Sequence, residues 1–183
     1  MEEYAYILDY LPKGLPGGSN FGKREPICYA VGEIEFKLFE LVPKANVIMN
    51  IGDRVYIGKE TKDRTHIDHV KNRVGYDGLT ASAKLELEYV VNDIVMADQE
   101  RFVKFYNDAQ PISLKKHMLE ELPGLGKKTM FAIIDERKKG EFKNFEDLEA
   151  RVPLAKAPHK NIIKRIVLEL SDPDRKHYIF VSR

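Results

Sequence analysis

Residues 122–129 read Leu-Pro-Gly-Leu-Gly-Lys-Lys-Thr, and no other stretch limits the fold as tightly. They lie between two segments predicted as helices. The first runs from Ser113, read as its N-cap, to Leu122, with Leu114, Met118, Leu119 and Leu122 on its buried side. The second runs from Lys127 to Lys139, with Met130, Phe131, Ile133 and Ile134. Two glycines around one apolar residue predict a tight turn that leads straight into a helix N-terminus. The first amides of a helix lack intrahelical partners and favour an anion. Lys127 and Lys128 add positive charge at that point.

The stretch resembles the helix-hairpin-helix motif, a nucleic-acid-binding element that does not read sequence. The matching residues are Leu122, Pro123, Gly124, Leu125, Gly126, Lys128, Thr129, Arg137, Gly140, Phe142, Asp147 and Leu148. Met130 departs from the pattern, which has a small residue there. The resemblance implies that the amides around Gly124 and Gly126 donate to phosphate oxygens. It places Leu125 between the helices and gives side-chain contacts to Lys127, Lys128 and the Thr129 hydroxyl. Such contacts position a protein on a nucleic acid without reading bases. The plainer alternative is an αα-hairpin that packs on its own domain or on another protein. Leu148 to Val167 fits a second, degenerate copy, with Val152-Pro153-Leu154-Ala155 in place of the glycine turn. There Lys156, His159, Lys160, Lys164 and Arg165 would add charge.

Upstream the pattern is that of strands. Tyr4 to Tyr10, Cys28 to Leu41, Arg54 to Lys59 and His66 to Arg73 are strand candidates, and Val47 to Ile51 is a short apolar run. The glycines and prolines between Pro12 and Pro26 predict a long loop, with Lys13, Lys23 and Arg24 available to a ligand. Short strands with Gly-bearing turns suggest a small barrel or curled sheet. Ile51-Gly-Asp-Arg-Val-Tyr-Ile-Gly58 looks like a strand of an OB- or S1-type nucleic-acid-binding barrel, and an OB-like barrel would bind a single strand with a basic groove and stacking aromatics. Its candidate contacts are Arg54, Lys59, Lys62 and Arg64, with Tyr56 either stacking or half in the core.

From Thr80, a plausible N-cap, the period becomes helical through Leu87, Val90, Val91, Ile94 and Val95. A further helix starts near Asp98. Asn144 caps a short helix, Asn161 to Leu170 forms the last one, and Lys176 to Val181 reads as a strand that must return to the N-terminal sheet. The expected fold is α+β: an OB-like β-barrel over 1–78, connecting helices over 79–112, a helix-hairpin-helix region over 113–170, and a C-terminal strand over 171–183 rejoining the barrel. This order resembles a small group of archaeal proteins of uncharacterised function described as binding RNA or nucleic acid. Gly52 to Gly58, Leu79-Thr80, Arg101-Phe102-Val103 with Asn107, and Leu122 to Lys128 carry the resemblance.

The charge distribution agrees. Residues 1–112 hold 14 Lys or Arg against 18 Asp or Glu, while residues 113–183 hold 16 against 11, so the half with the hairpin is the basic one. A lone cysteine, Cys28, forms no internal disulfide and points to a reducing, cytoplasmic setting. No stretch is long and apolar enough to span a bilayer, and the N-terminus lacks a signal-peptide pattern. Asp63, His66, Asp68 and His69 form the one His/Asp cluster, which could hold a divalent metal. The leading expectation is a non-enzymatic protein that binds RNA or DNA, RNA being favoured by the resemblance, without a cofactor or membrane partner. A protein-binding adaptor in a translation or repair complex and a metal-dependent nuclease are the alternatives.

Overall fold

A computed structural model of the chain describes residues 1–16 and 24–183. The predicted Pro12–Pro26 loop falls partly outside these residues, and Lys23 with it. The chain separates into two compact units, Met1–Val90 with Glu169–Arg183, and Val91–Leu168.

The first unit is built on five strands: β1 (Tyr4–Leu11), β2 (Ile27–Gly32), β3 (Leu38–Pro43), β4 (Arg54–Tyr56) and β5 (Ile67–Arg73). Every pairing is antiparallel, and the order is β4-β1-β2-β3-β5. Ala5 and Ile7 of β1, Cys28 and Ala30 of β2, Phe39 and Leu41 of β3, Val55, and Ile67 converge in one core with Met49 and Ile57. The alternate positions Tyr6, Leu8, Tyr29 and Val31 are buried as well, so the central strands read as nearly continuous apolar runs. Small residues at Ala5, Cys28 and Ala30 leave room for the sheet to curl. Register shifts at Ile7/Asp9, Glu40/Leu41 and Val42/Pro43 add bend. Burial and the Asp9 charge push the Cys28 thiol up to about 12, so it stays protonated and unreactive.

The sheet curls into a half-barrel, the curled-sheet form of the expected small barrel. β4 and β5 occupy its two edges, and no ladder joins them among the described residues. The predicted single strand from Cys28 to Leu41 is two strands with a turn between them. Glu2, 5% exposed, accepts the Ile34 amide at 2.9 Å and the Glu35 amide at 2.5 Å. This fixes the turn while Phe36, fully buried, takes a left-handed conformation at φ 56°. The alternation of Ile34, Phe36 and Leu38 imitates a strand, because the group that bends the chain lies some thirty residues earlier. Val47 to Ile51 forms no strand.

The C-terminal strand is a second correction. Lys176 to Val181 has no regular structure. The Glu169 carboxylate takes its place as partner: one oxygen accepts the amides of Ile179, Phe180 and Val181 at 2.7, 3.0 and 3.2 Å. The Ser182 amide donates to the Glu35 carbonyl at 3.1 Å. A side chain that satisfies three successive amides leaves none for a ladder.

α1 (Ala81–Ala97) begins where the Thr80 hydroxyl accepts the Ala83 amide at 3.1 Å. It is followed by α2 (Gln99–Asp108), α3 (Lys127–Arg137), α4 (Phe145–Arg151) and α5 (Pro158–Ser171). The Asn144 side chain caps α4, accepting the Asp147 amide at 2.7 Å.

A Cβ at Gly32 would land on the Glu2 carboxylate. Gly32→Ala should therefore drive Glu2 off the Ile34 and Glu35 amides and cost about 1–3 kcal/mol, read as a lower urea midpoint with an unchanged slope.

Candidate nucleic-acid interface

The segment expected to form the first hairpin helix is mostly not helical. Ile112 and Ser113 amides both donate to the Lys116 carbonyl, at 2.8 and 3.0 Å, which turns the chain back on itself. A short 3-10 turn follows at Met118–Glu121. His117, not Ser113, caps it: Nδ1 accepts the Leu119 amide at 3.0 Å, and the Glu120 carboxylate accepts the His117 amide at 2.6 Å. Burial and the Arg137 charge hold His117 below the ordinary histidine value, which keeps Nδ1 an acceptor. Leu114, predicted buried, is wholly exposed, and Phe131 of α3 is 58% exposed.

The turn itself is as tight as its glycines suggest. The Leu125 amide donates to the Leu122 carbonyl at 3.3 Å, and Gly124 sits at φ 81°, a conformation costly for any residue with a Cβ. Gly126 is the N-cap of α3 and offers no capping side chain. The Lys127, Lys128 and Thr129 amides, the first of the helix, are thus left without a partner among the described residues. Gly124, Gly126, Lys127 and Lys128 are exposed and Thr129 is half-buried. Among the described residues no carboxylate pairs with either lysine. Leu125 is half-buried, less enclosed than expected. Met130 is 4% exposed, so the site that usually takes a small residue accommodates its flexible thioether.

α5 holds this turn in place. Asn161 Nδ2 donates to the Pro123 carbonyl at 2.8 Å. One turn along, the Arg165 guanidinium donates to the Glu121 carbonyl at 3.1 Å and to its carboxylate at 3.0 Å. Arg165 is 1% exposed. The Glu121 carboxylate also receives Lys116 at 2.7 Å, and these two cations hold it below the usual carboxylate range, Lys116 foremost. The turn between α4 and α5 repeats the geometry in part. The shared feature is the hydrogen bond from the Ala155 amide to the Val152 carbonyl at 2.9 Å, while the left-handed residue is Ala157, at φ 48°, two places after the donor and not one before it. Lys156, Lys160 and Lys164 are exposed there, whereas Arg165 is interior and His159 lies against the Phe145 ring.

The residues downstream of the turn are structural. Arg137 donates to the Tyr106 carbonyl at 3.1 Å. Arg151 closes the C-terminal end of α3 through the Glu136 and Gly140 carbonyls, at 3.1 and 2.8 Å, with its guanidinium over the Phe142 ring. Asp147 accepts the Lys143 amide at 3.0 Å and Leu148 is fully buried. Sequence reading missed Asn161 and Arg151 as supports and took Arg165 for a surface charge. The available signal was an arginine set among Ile162, Ile163 and Ile166 on the apolar side of α5.

In the first unit the candidate contacts divide. Arg54 is committed to Glu33, at 2.7 and 3.1 Å, and lies over the Tyr4 ring. Arg64 donates to the Ile57, Gly58 and Asp68 carbonyls, so it braces the loop that precedes β5. Lys59 and Lys62 are exposed. Lys59 borders a cleft of about 300 Å³ with Lys37, Phe39, Arg64 and Arg73. Tyr56 packs edge-on against Tyr4 at 5.4 Å. His69 pairs with Asp68 at 2.7 Å while His66 meets the Thr65 hydroxyl. Among the described residues no three His, Cys, Asp or Glu side chains gather to hold a metal, and no described helix is long and apolar enough to cross a membrane.

Glu121 carries the linkage between the turn and pH. Its folded pKa lies below its unfolded value, so its stabilisation is complete above the ordinary glutamate pKa and fades as pH falls through the folded one. Glu121→Gln removes the carboxylate that Arg165 meets at 3.0 Å while the Glu121 carbonyl still accepts the guanidinium, and should cost about 1–3 kcal/mol at pH 7. The gap between the variant and the parent should close on acidification below about pH 4, near the ordinary glutamate value, in denaturation curves recorded at both pH values.

A family profile described as "Protein of unknown function (DUF655)" matches residues 1–182. The chain is 46% identical over 182 residues to "Uncharacterized protein MJ0038" of Methanocaldococcus jannaschii, covering 99% of this chain and 80% of that protein. It superposes on the crystal structure of Af1531 from Archaeoglobus fulgidus with a TM-score of 0.91 and 41% sequence identity, covering 99% of this chain and 100% of that one. Matched over 99% of its length in sequence and fold, the chain belongs to the DUF655 family.

Proposed function

We propose that this chain is a non-enzymatic nucleic-acid-binding protein that grips the phosphate backbone through Gly124, Leu125, Gly126, Lys127, Lys128 and Thr129. The observation that carries the reading is the exposed, uncapped start of α3, where free amides and two unpaired lysines converge. A glycine at φ 81° lets the backbone approach a ligand closely, and only Asn161 Nδ2, at 3.3 Å, would meet a Cβ there. Helix N-termini bind phosphate through such amides. In this reading residues 118–137 are a helix-hairpin-helix whose first helix has shrunk to one 3-10 turn. The α4–α5 turn is its degenerate copy, keeping lysines but lacking glycine.

The half-barrel is the second, weaker contact surface. Its OB-like character rests on five short strands and a basic cleft at Lys59 and Arg73 above Phe39. Because backbone contacts read charge and not sequence, RNA and DNA are both ligands, with RNA favoured only by family resemblance. The nuclease alternative lacks an assembled ligand set among the described residues, and no observation singles out a protein partner.

Affinity for a short RNA and a short DNA should fall steeply as salt rises. Lys127→Ala/Lys128→Ala should flatten the log–log salt dependence by about 2, one for each lost phosphate contact, and weaken all sequences alike. Fluorescence anisotropy titrations across a salt series measure this, and no binding at low salt would refute the reading.

A further inference from the structure

Beside the α3 terminus, within the second unit, lies a groove of about 200 Å³ whose walls include Leu114, Met130, Phe131 and Ile134. Two of its residues are apolar groups that water would ordinarily drive inward. Leu114 is fully exposed and Phe131 is 58% exposed, and no ring or cation stacks on Phe131 among the described residues. The rim is positive. Among the described residues Lys115 and Lys127 have no carboxylate partner, Lys116 is tied to Glu121, and the Glu120 carboxylate is turned back onto the His117 amide. An apolar, aromatic floor under unpaired cations fits a ligand with flat apolar rings on a polyanionic thread.

Building on the phosphate reading of the neighbouring turn, we infer that this groove takes an unpaired base, so that the protein's preferred ligand is single-stranded nucleic acid. Lys127 and Phe131 stand four residues apart on one face of α3, about 6 Å along the helix axis. A phosphate held at Lys127 thus leaves its own base over the Phe131 ring, where stacking is tolerant of sequence. A base locked inside a duplex cannot enter. An acidic peptide would match the charge, but it has no reason to place a ring one helical turn from each negative group.

The test uses the full chain with three labelled probes: a short homopyrimidine strand, a blunt duplex of the same length, and the same backbone made abasic. The strand should bind more tightly than either of the other two. Phe131→Ala should cut strand affinity about tenfold and leave duplex affinity unchanged, while Phe131→Trp should keep the preference. Equal affinity for strand and abasic backbone, or a strand preference that Phe131→Ala does not move, would overturn the groove while leaving the phosphate turn standing. Failure of all three probes to bind at low salt would remove both. Displacement of the strand by a Glu-rich, Leu-containing peptide at equal affinity would assign the groove to a protein instead.

Discussion

Both oxygens that Glu121 presents inward, one from its backbone and one from its carboxylate, end on a single guanidinium that water scarcely reaches. Each of these contacts offsets the cost of holding a guanidinium out of water. The arrangement makes a turn with few contacts of its own a rigid object. Its carbonyls are drawn down onto α5, at Pro123 through Asn161 and at Glu121 through Arg165. Its amides are therefore left facing away, at the uncapped start of α3. A flexible loop with the same glycines would spend those amides on its own carbonyls or on water. Pinning the carbonyl side from beneath is what leaves the donor side ready.

The same logic recurs in the first unit. The Glu2 carboxylate organises the turn between β2 and β3, and that of Glu169 gathers the amides of residues 179–181. In each case a buried acid satisfies backbone donors that have no strand partner. Fully satisfied, such groups specify one chain path; left unpaired, they would be among the most costly defects in the unit.

Legibility in the sequence followed this division. Elements defined by local period and local caps were readable: β1, β5, α1 after Thr80, α4 after Asn144, and the glycine turn with its lysines. Elements defined by a distant side chain were not. The bend after Gly32 depends on Glu2, the C-terminal segment depends on Glu169, and both imitate strands by alternation alone. Ser113 looked like an N-cap because hydroxyl residues often are, yet the cap that operates is His117 with Glu120, four residues on. Arg54 and Arg64 read as free positive charge, since nothing in their neighbourhood announces Glu33 or the carbonyls of Ile57, Gly58 and Asp68. The glycine turn that leads into α3 was visible beforehand, while the supports beneath it, Asn161 and Arg165, were not.

The Glu169 clasp also orders events in time. Residues 91–168 form a contiguous unit, whereas the first unit is assembled from two stretches of chain separated by it. During synthesis the ribosome delivers the five strands first, but the acid and the three amides it gathers emerge only after the whole second unit. The first unit therefore cannot close until α5 has been made, and α5 carries Glu169 together with the Asn161 and Arg165 that hold the glycine turn. A chain cut before this one helix would leave an unfinished contact in each unit.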